Sequence, residues 1–266
     1  MKILVVGDPH GYKNIKDIKA DKDIDLILIT GDLAESDLVR DAFFKAKAKG
    51  ISDFRKAFSK TELNELYTRF VMSAVDVIKH FAKFNKPVYF VYGNLFGMEY
   101  SIMNKCVKDN RLDVPDFENE IKRFKNVLNI GLRKVIFKGI TIAGVPYFDS
   151  LEWINEFDAK DNEKIDFAKK QEPKVKTFLT SLKKVDILLT HIPPRGYLDL
   201  VSVKFAPENW KGKNAGSSLV LKYVKNKRPK YVFCGHIHEG KGSVKVGESN
   251  VYNIGCNGDF LEIDLK

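Results

Sequence analysis

Residues 2–10 read Lys-Ile-Leu-Val-Val-Gly-Asp-Pro-His, and this stretch decides the fold. Its apolar run is short, β-branched and without polar alternation, the composition of a strand buried on both faces. Gly7 lets the backbone turn sharply where the run ends, and Asp8 and His10 follow. The arrangement recurs four times. Residues 25–30 (DLILIT) run into Gly31-Asp32 and 88–92 (VYFVY) into Gly93-Asn94. Residues 186–190 (DILLT) run into His191, and 231–234 (YVFC) into Gly235-His236-Ile237-His238. In α/β sheets, functional side chains collect in the crevice at the carboxyl ends of the strands.

Between these runs the hydrophobic period changes. Residues 36–48, from Ser36, and 61–84, from Thr61-x-x-Asn64, read as helices, the second with Leu63, Leu66, Phe70 and Val77 at helical spacing. Further helices are expected at 159–183 and 216–226. A second group of strands is expected at 133–137, 140–145, 242–246, 250–255 and 259–264, with Gly-containing turns at Lys138-Gly139 and Gly247-Glu248 that predict hairpins. Alternating elements predict an α/β fold of mixed sheets flanked by helices. No repeat or linker divides residues 1–266, so one domain is expected, with 36–84 as a long helical excursion that would serve as a local cap.

Composition narrows the function classes. The chain carries 45 Lys+Arg against 35 Asp+Glu, a formal charge of +10, and only eight of the basic residues are Arg. Such lysine-rich basicity spread along the chain reads as a solvated surface rather than a phosphate-steering field, and no Arg-aromatic stripe supports nucleic-acid binding. No run approaches the ~20 apolar residues of a membrane span. The apolar run Ile3–Val6 is too short for the ~7–15-residue core of a secretory signal, so a cytoplasmic protein is expected. Cys106, Cys234 and Cys256 are odd in number and widely spaced, without a CxxC, which fits neither a disulfide framework nor a zinc ribbon. Cys234, ending an apolar run, reads as packing.

The residues after the five strands are two Asp, one Asn and four of the five histidines. His80, in a helical stretch without a partner, reads as structural. In Asp8-x-His10 and His236-x-His238 the ligand types are two apart, so extended backbone would point each pair to one side, towards one ion or two adjacent ions. Seven N/O donors exceed what one tetrahedral zinc needs and include no thiolate. They suit two divalent ions sharing a carboxylate, ~3.5–4 Å apart, the standard clamp for displacement at phosphorus.

The ordered pattern Asp8-x-His10, Gly31-Asp32, Gly93-Asn94, His191, Gly235-His236-x-His238 resembles the calcineurin-like metallophosphoesterase superfamily. Gly31-Asp32-Leu33-Ala34-Glu35, Thr190-His191-Ile192-Pro193-Pro194 and Cys234-Gly235-His236-Ile237-His238-Glu239-Gly240 look like its small phosphodiesterase-type branch. The resemblance implies a four-layer αββα sandwich with two mixed β-sheets, in agreement with the two strand groups. It implies that Asp8, His10 and His238 hold one ion, that Asn94, His191 and His236 hold the other, and that Asp32 bridges them. A hydroxide held between the ions would attack phosphorus, and Asn94 could also touch a phosphate oxygen. Two divalent ions are thus expected as cofactors, Mn²⁺ favoured, with Ni²⁺, Fe²⁺, Zn²⁺ and Mg²⁺ as alternatives.

One departure bears on substrate. The family usually has Gly-Asn-His followed by an acidic residue, whereas this chain has Gly93-Asn94-Leu95-Phe96-Gly97. The family's His serves as general acid or stabilises charge on the leaving group, a role worth ~10²–10⁴-fold, and Leu95 cannot donate a proton. Some relatives lacking this His favour phosphodiesters. The expected activity is a metal-dependent phosphodiesterase acting on a small phosphodiester or nucleotide-like substrate. The alternatives are a phosphomonoesterase, a nuclease of the same fold, and a non-catalytic metal-binding scaffold.

Overall fold

A computed structural model describes residues 1–51, 53–157, 162–203 and 206–265. Strands β1 (Lys2–Val6), β2 (Ile24–Ile29), β3 (Val88–Phe90) and β4 (Val127–Asn129) pair in parallel. A late strand, β11 (Phe260–Asp264), lies antiparallel along the free side of β1 and gives the sheet order β11-β1-β2-β3-β4. The second sheet contains β5 (Lys134–Phe137), β6 (Ile140–Val145), β7 (Ile187–Thr190), β8 (Tyr231–Cys234), β9 (Gly242–Val246) and β10 (Ser249–Asn253) in the order β5-β6-β7-β8-β10-β9. Its central pairs β6-β7, β7-β8 and β8-β10 are parallel, and each edge is an antiparallel hairpin.

The two-residue side-chain alternation of the strands builds the layers. Ile3, Val5, Leu26 and Leu28 of the first sheet are buried in one cluster with Ile142, Ile187, Leu189 and Phe233 of the second. The opposite face of the first sheet, with Leu4, Val6, Ile27 and Ile29, is covered by helix α2 (Lys60–Ala82) through Phe70, Val71, Ala74, Val77, Ile78 and Phe81. The opposite face of the second sheet, with Ala143, Val145, Leu188 and Val232, meets α6 (Asn162–Ser181) and α7 (Ser218–Lys227). The result is helix, sheet, sheet, helix, as expected of the fold class.

The sheets do not divide by strand group. The expected buried runs at 186–190 and 231–234 join the second sheet, between the two hairpins, while the 259–264 strand crosses to the first. A buried strand reads alike whichever partner it takes. β4 escaped the sequence reading because it has only three residues, and so did α3 (Met98–Asp109), α4 (Phe117–Ile121) and α5 (Leu151–Phe157). Helix α2 starts one turn-signal earlier than Thr61. Ser59 accepts from the Glu62 N–H and Glu62 accepts from the Ser59 N–H, a capping box. Residues 159–161 of the expected 159–183 helix lie outside the described residues, and α6 covers 162–181. The 36–84 excursion divides in two: α2 is a core helix, whereas α1 (Ser36–Ala48) buries only Ala42 and Ala46 and leaves Phe43 and Phe44 exposed. The Lys138-Gly139 hairpin turn has φ of +47° and +81°, the primed geometry that matches strand twist. His80 is structural as expected: Nε2 lies 2.9 Å from the Ile18 carbonyl and the ring contacts Phe81 and Phe84. Cys234 is fully buried. Among the described residues no helix is long and apolar enough to cross a membrane.

Candidate metal centre

The carboxyl ends of β1, β2 and β3 in one sheet and of β7 and β8 in the other meet at one end of the sandwich, and all seven expected donors converge there. They fall into two overlapping groups. In one, His10 Nε2 and His238 Nε2 face each other at 3.4 Å, and His238 Nε2 lies 3.3 Å from Asp8 Oδ2. In the other, Asn94 Oδ1 lies 3.2 Å from both His191 Nε2 and His236 Nδ1, and Asp32 Oδ2 lies 3.8 Å from His191 Nε2. Asp8, His10 and His238 offer donor atoms that all lie within 4.8 Å of one another, and so do Asp8, Asp32 and His191. Asp32 Oδ2 is also 4.0 Å from His10 Nε2, which puts this oxygen between the two groups.

The convergence is not that of extended strands. His10, Asp32 and His236 have φ of +48°, +29° and +65°. Non-glycine residues held there cost of order 1–3 kcal/mol each and gather at functional sites. His236 and His238, two apart, therefore point into different groups. The neighbouring glycines make room. A Cβ on Gly93 would sit 2.1 Å from Asp32 Oδ1, and one on Gly235 would sit 2.5 Å from Asp8 Oδ1.

Three supporting groups were not singled out from the sequence. Thr30 donates its hydroxyl to Asp8 Oδ1 at 2.7 Å, and its carbonyl lies 3.1 Å from His191 Nδ1, so one residue orients a ligand type from each sheet. The backbone N–H of Leu95 donates to Asp32 Oδ1 at 3.0 Å. Tyr147, after β6, packs its ring 5.3 Å from that of His236 and donates its hydroxyl to Asp149 Oδ1 at 2.8 Å. The sixth strand end, Val145-Pro146-Tyr147-Phe148-Asp149, repeats the apolar-then-polar pattern of the other five.

The electrostatics leave room for cations. Asp8 and Asp32 are 0% and 3% exposed, and among the described residues no lysine or arginine pairs with either. Buried carboxylates are stable when paired, hydrogen-bonded or coordinating metal. Burial pushes the Asp8 carboxyl up, but His191 and His238 beside it outweigh this and hold it well below the usual carboxylate range. Burial opposes charge on His238 too, yet its hydrogen bonds to Asp8 and Cys256 raise it to about 10. His191 is raised by Asp8 and Asp32 against its burial, while burial and the neighbouring His191 push His236 well below the usual imidazole value. Two imidazole nitrogens facing each other cannot both present a lone pair without a cation or proton between them, and His10 Nδ1 is buried without a hydrogen-bond partner. Imidazole, carboxylate and amide donors packed so closely fit a pair of divalent ions.

Comparison with known proteins gives the same direction. A family model described as calcineurin-like phosphoesterase matches residues 1–240, a span that includes all seven donors. UPF0046 protein K07C11.7 of Caenorhabditis elegans is 31% identical over 122 residues, which are 45% of this chain and 37% of that protein. UPF0046 protein T07D4.2 of the same organism is 39% identical over 84 residues, 31% of this chain and 18% of its own. The chain thus covers well under half the length of these relatives. One solved crystal structure, 16% identical, aligns over 99% of this chain and 94% of its own with a TM-score of 0.63, a likeness of fold. A purple acid phosphatase, PPD1 from yellow lupin (Lupinus luteus) seeds, is 14% identical and aligns over 90% of this chain and 38% of its own with a TM-score of 0.39.

Proposed function

The chain belongs to the calcineurin-like phosphoesterase family, and on that premise we propose that it is a metal-dependent phosphodiesterase with a dinuclear centre, Mn²⁺ favoured. Asp8, His10 and His238 would hold one ion and Asn94, His191 and His236 the other. Asp32 would bridge, because its Oδ2 is the oxygen lying between the groups, at 4.0 Å from His10 and 3.8 Å from His191. Both oxygens of Asp8 already accept hydrogen bonds, from the Thr30 hydroxyl and the His236 N–H. Two bound divalent ions would supply an activated water and neutralise charge on the phosphoryl oxygens. The chain's own part is positioning. Thr30 fixes Asp8 and His191, the Leu95 N–H fixes Asp32, and Asn94 would also touch a phosphate oxygen.

The observation that carries the diesterase reading is Leu95. It stands where the family usually has its acid, and its side chain packs against the apolar core around α2. It offers no proton to a leaving alcohol. The substrate would therefore be a small phosphodiester whose leaving group departs without one. Hydrolysis of bis(p-nitrophenyl) phosphate and p-nitrophenyl phosphate with Mn²⁺ tests this. Preference for the diester is expected. Preference for the monoester would overturn the specificity, and turnover of neither would favour a metal-binding scaffold.

A further inference from the structure

One cleft opens on the metal centre, and a second meets it at a single step of the backbone. The first, about 470 Å³, is lined by Asn94, His236 and His238 together with Trp153, Trp210 and Ile237. The second, about 440 Å³, is lined by Leu95, Phe43 and Tyr100. Asn94 and Leu95 are consecutive, and Lys164 lines both clefts. Spaces of this size and character, apolar and aromatic with a few polar groups, are the usual form of a small-molecule site. In the first cleft the Trp153 and Trp210 rings meet edge to face at 5.3 Å, and the Trp210 indole N–H is already spent on the Phe157 carbonyl at 3.3 Å. The rings thus offer carbon surface. In the second, Phe43 is 45% exposed, and the hydrogen bond from the Leu95 N–H to Asp32 ties that residue to the donors.

A phosphomonoester has one organic group and would fill one of these spaces. A diester has two, on either side of one phosphorus. Resting on the phosphodiesterase reading, we propose that the substrate is a phosphodiester with two apolar organic groups, an aromatic one held against Trp153 and Trp210 and a second held against Leu95 and Phe43. Hydrolysis breaks one phosphorus–oxygen ester bond and adds water across it. The released oxygen leaves as its anion, and the proton from water passes to solvent.

Two diesters with the same p-nitrophenolate leaving group test the proposal: bis(p-nitrophenyl) phosphate and methyl p-nitrophenyl phosphate, with the Mn²⁺-loaded protein. After division by the uncatalysed ratio, kcat/KM should favour the bis-aryl ester by about tenfold, the scale of discrimination by an apolar pocket. Trp210→Ala or Phe43→Ala, or both, should abolish that preference, and Trp210→Phe should keep most of it. Turnover of the methyl ester by each variant reports an intact fold. An unaltered preference in both alanine variants, or no preference in the wild type while both esters are hydrolysed, overturns the two-cleft substrate and leaves the diesterase reading standing. Failure to hydrolyse either ester overturns both.

Discussion

Removing the Thr30 hydroxyl should weaken metal binding without removing a metal ligand. Thr30 and Asp8 are both fully buried, and the 2.7 Å hydrogen bond between them is made to a carboxylate held in its charged form. Thr30→Val keeps the volume, so no cavity opens. The Thr30 carbonyl stays in place to orient His191, so the loss falls on Asp8. A hydrogen bond to a charged group is worth about 1.5–3 kcal/mol. At 1.36 kcal/mol per decade, that is about 10- to 150-fold in an equilibrium constant. The range agrees with the 10–100-fold typical when a partner of a metal ligand is removed. Asp8 would hold the ion shared with His10 and His238, so that site should weaken while the one held by Asn94, His191 and His236 should not. Thr30→Ser should bind nearly as the wild type does, since it restores the hydroxyl. Titration of chelator-stripped protein with Mn²⁺ by calorimetry reads the effect directly. Affinity of Thr30→Val within twofold of wild type would refute the assignment of the hydroxyl to ligand positioning.

Asp32→Asn should lose more than one site's worth of metal, because the changed oxygen lies between both groups. Elemental analysis showing two ions per chain with full activity would sink the bridging role. Activity should vanish with chelator, return with Mn²⁺ and survive reducing agent, since the donor set has no thiolate; an undiminished rate in stripped protein would contradict the two-metal reading. The rate on aryl diesters should fall steeply with rising leaving-group pKa, and Leu95→His should flatten that slope. A flat slope in the wild type would mean that another group protonates the leaving oxygen. Phe233→Ala, in the layer between the sheets, should cost about 3–5 kcal/mol of stability, read as a shifted denaturant midpoint; a loss under about 1 kcal/mol would mean that the sheets do not depend on that layer.

Strand-end chemistry was the most legible part of this chain. Asp8, Asp32, Asn94, His191, His236 and His238 each follow a run whose burial is written in its composition, and the pattern needs no knowledge of which strand pairs with which. Sheet membership was not legible, for the same reason: β7 and β8 look like β1 and β2, and only long-range pairing separates them. Thr30 was hidden because its two roles use a hydroxyl and a carbonyl, and a carbonyl has no sequence signature. Tyr147 is hidden because β6 runs into Val145-Pro146 rather than into a small residue followed by a metal-ligand type. The left-handed backbone at His10, Asp32 and His236 belongs to residues that do not announce it, unlike a glycine.

The place of β11 has a consequence for how the protein is made. Every expected donor lies between residues 8 and 238, yet among the described residues the outer side of β1 is closed only by Phe260–Asp264, paired from Lys2↔Asp264 to Val6↔Phe260. During synthesis β1 must wait, with its edge open, for a strand that follows every expected donor in the chain. Contacts of such long sequence separation slow folding, and an unpaired edge is a template for other chains. A chain stopped after Asn253 would keep all seven donors and still expose that edge. Its failure would appear first as aggregation in the cell, not as a defect in chemistry.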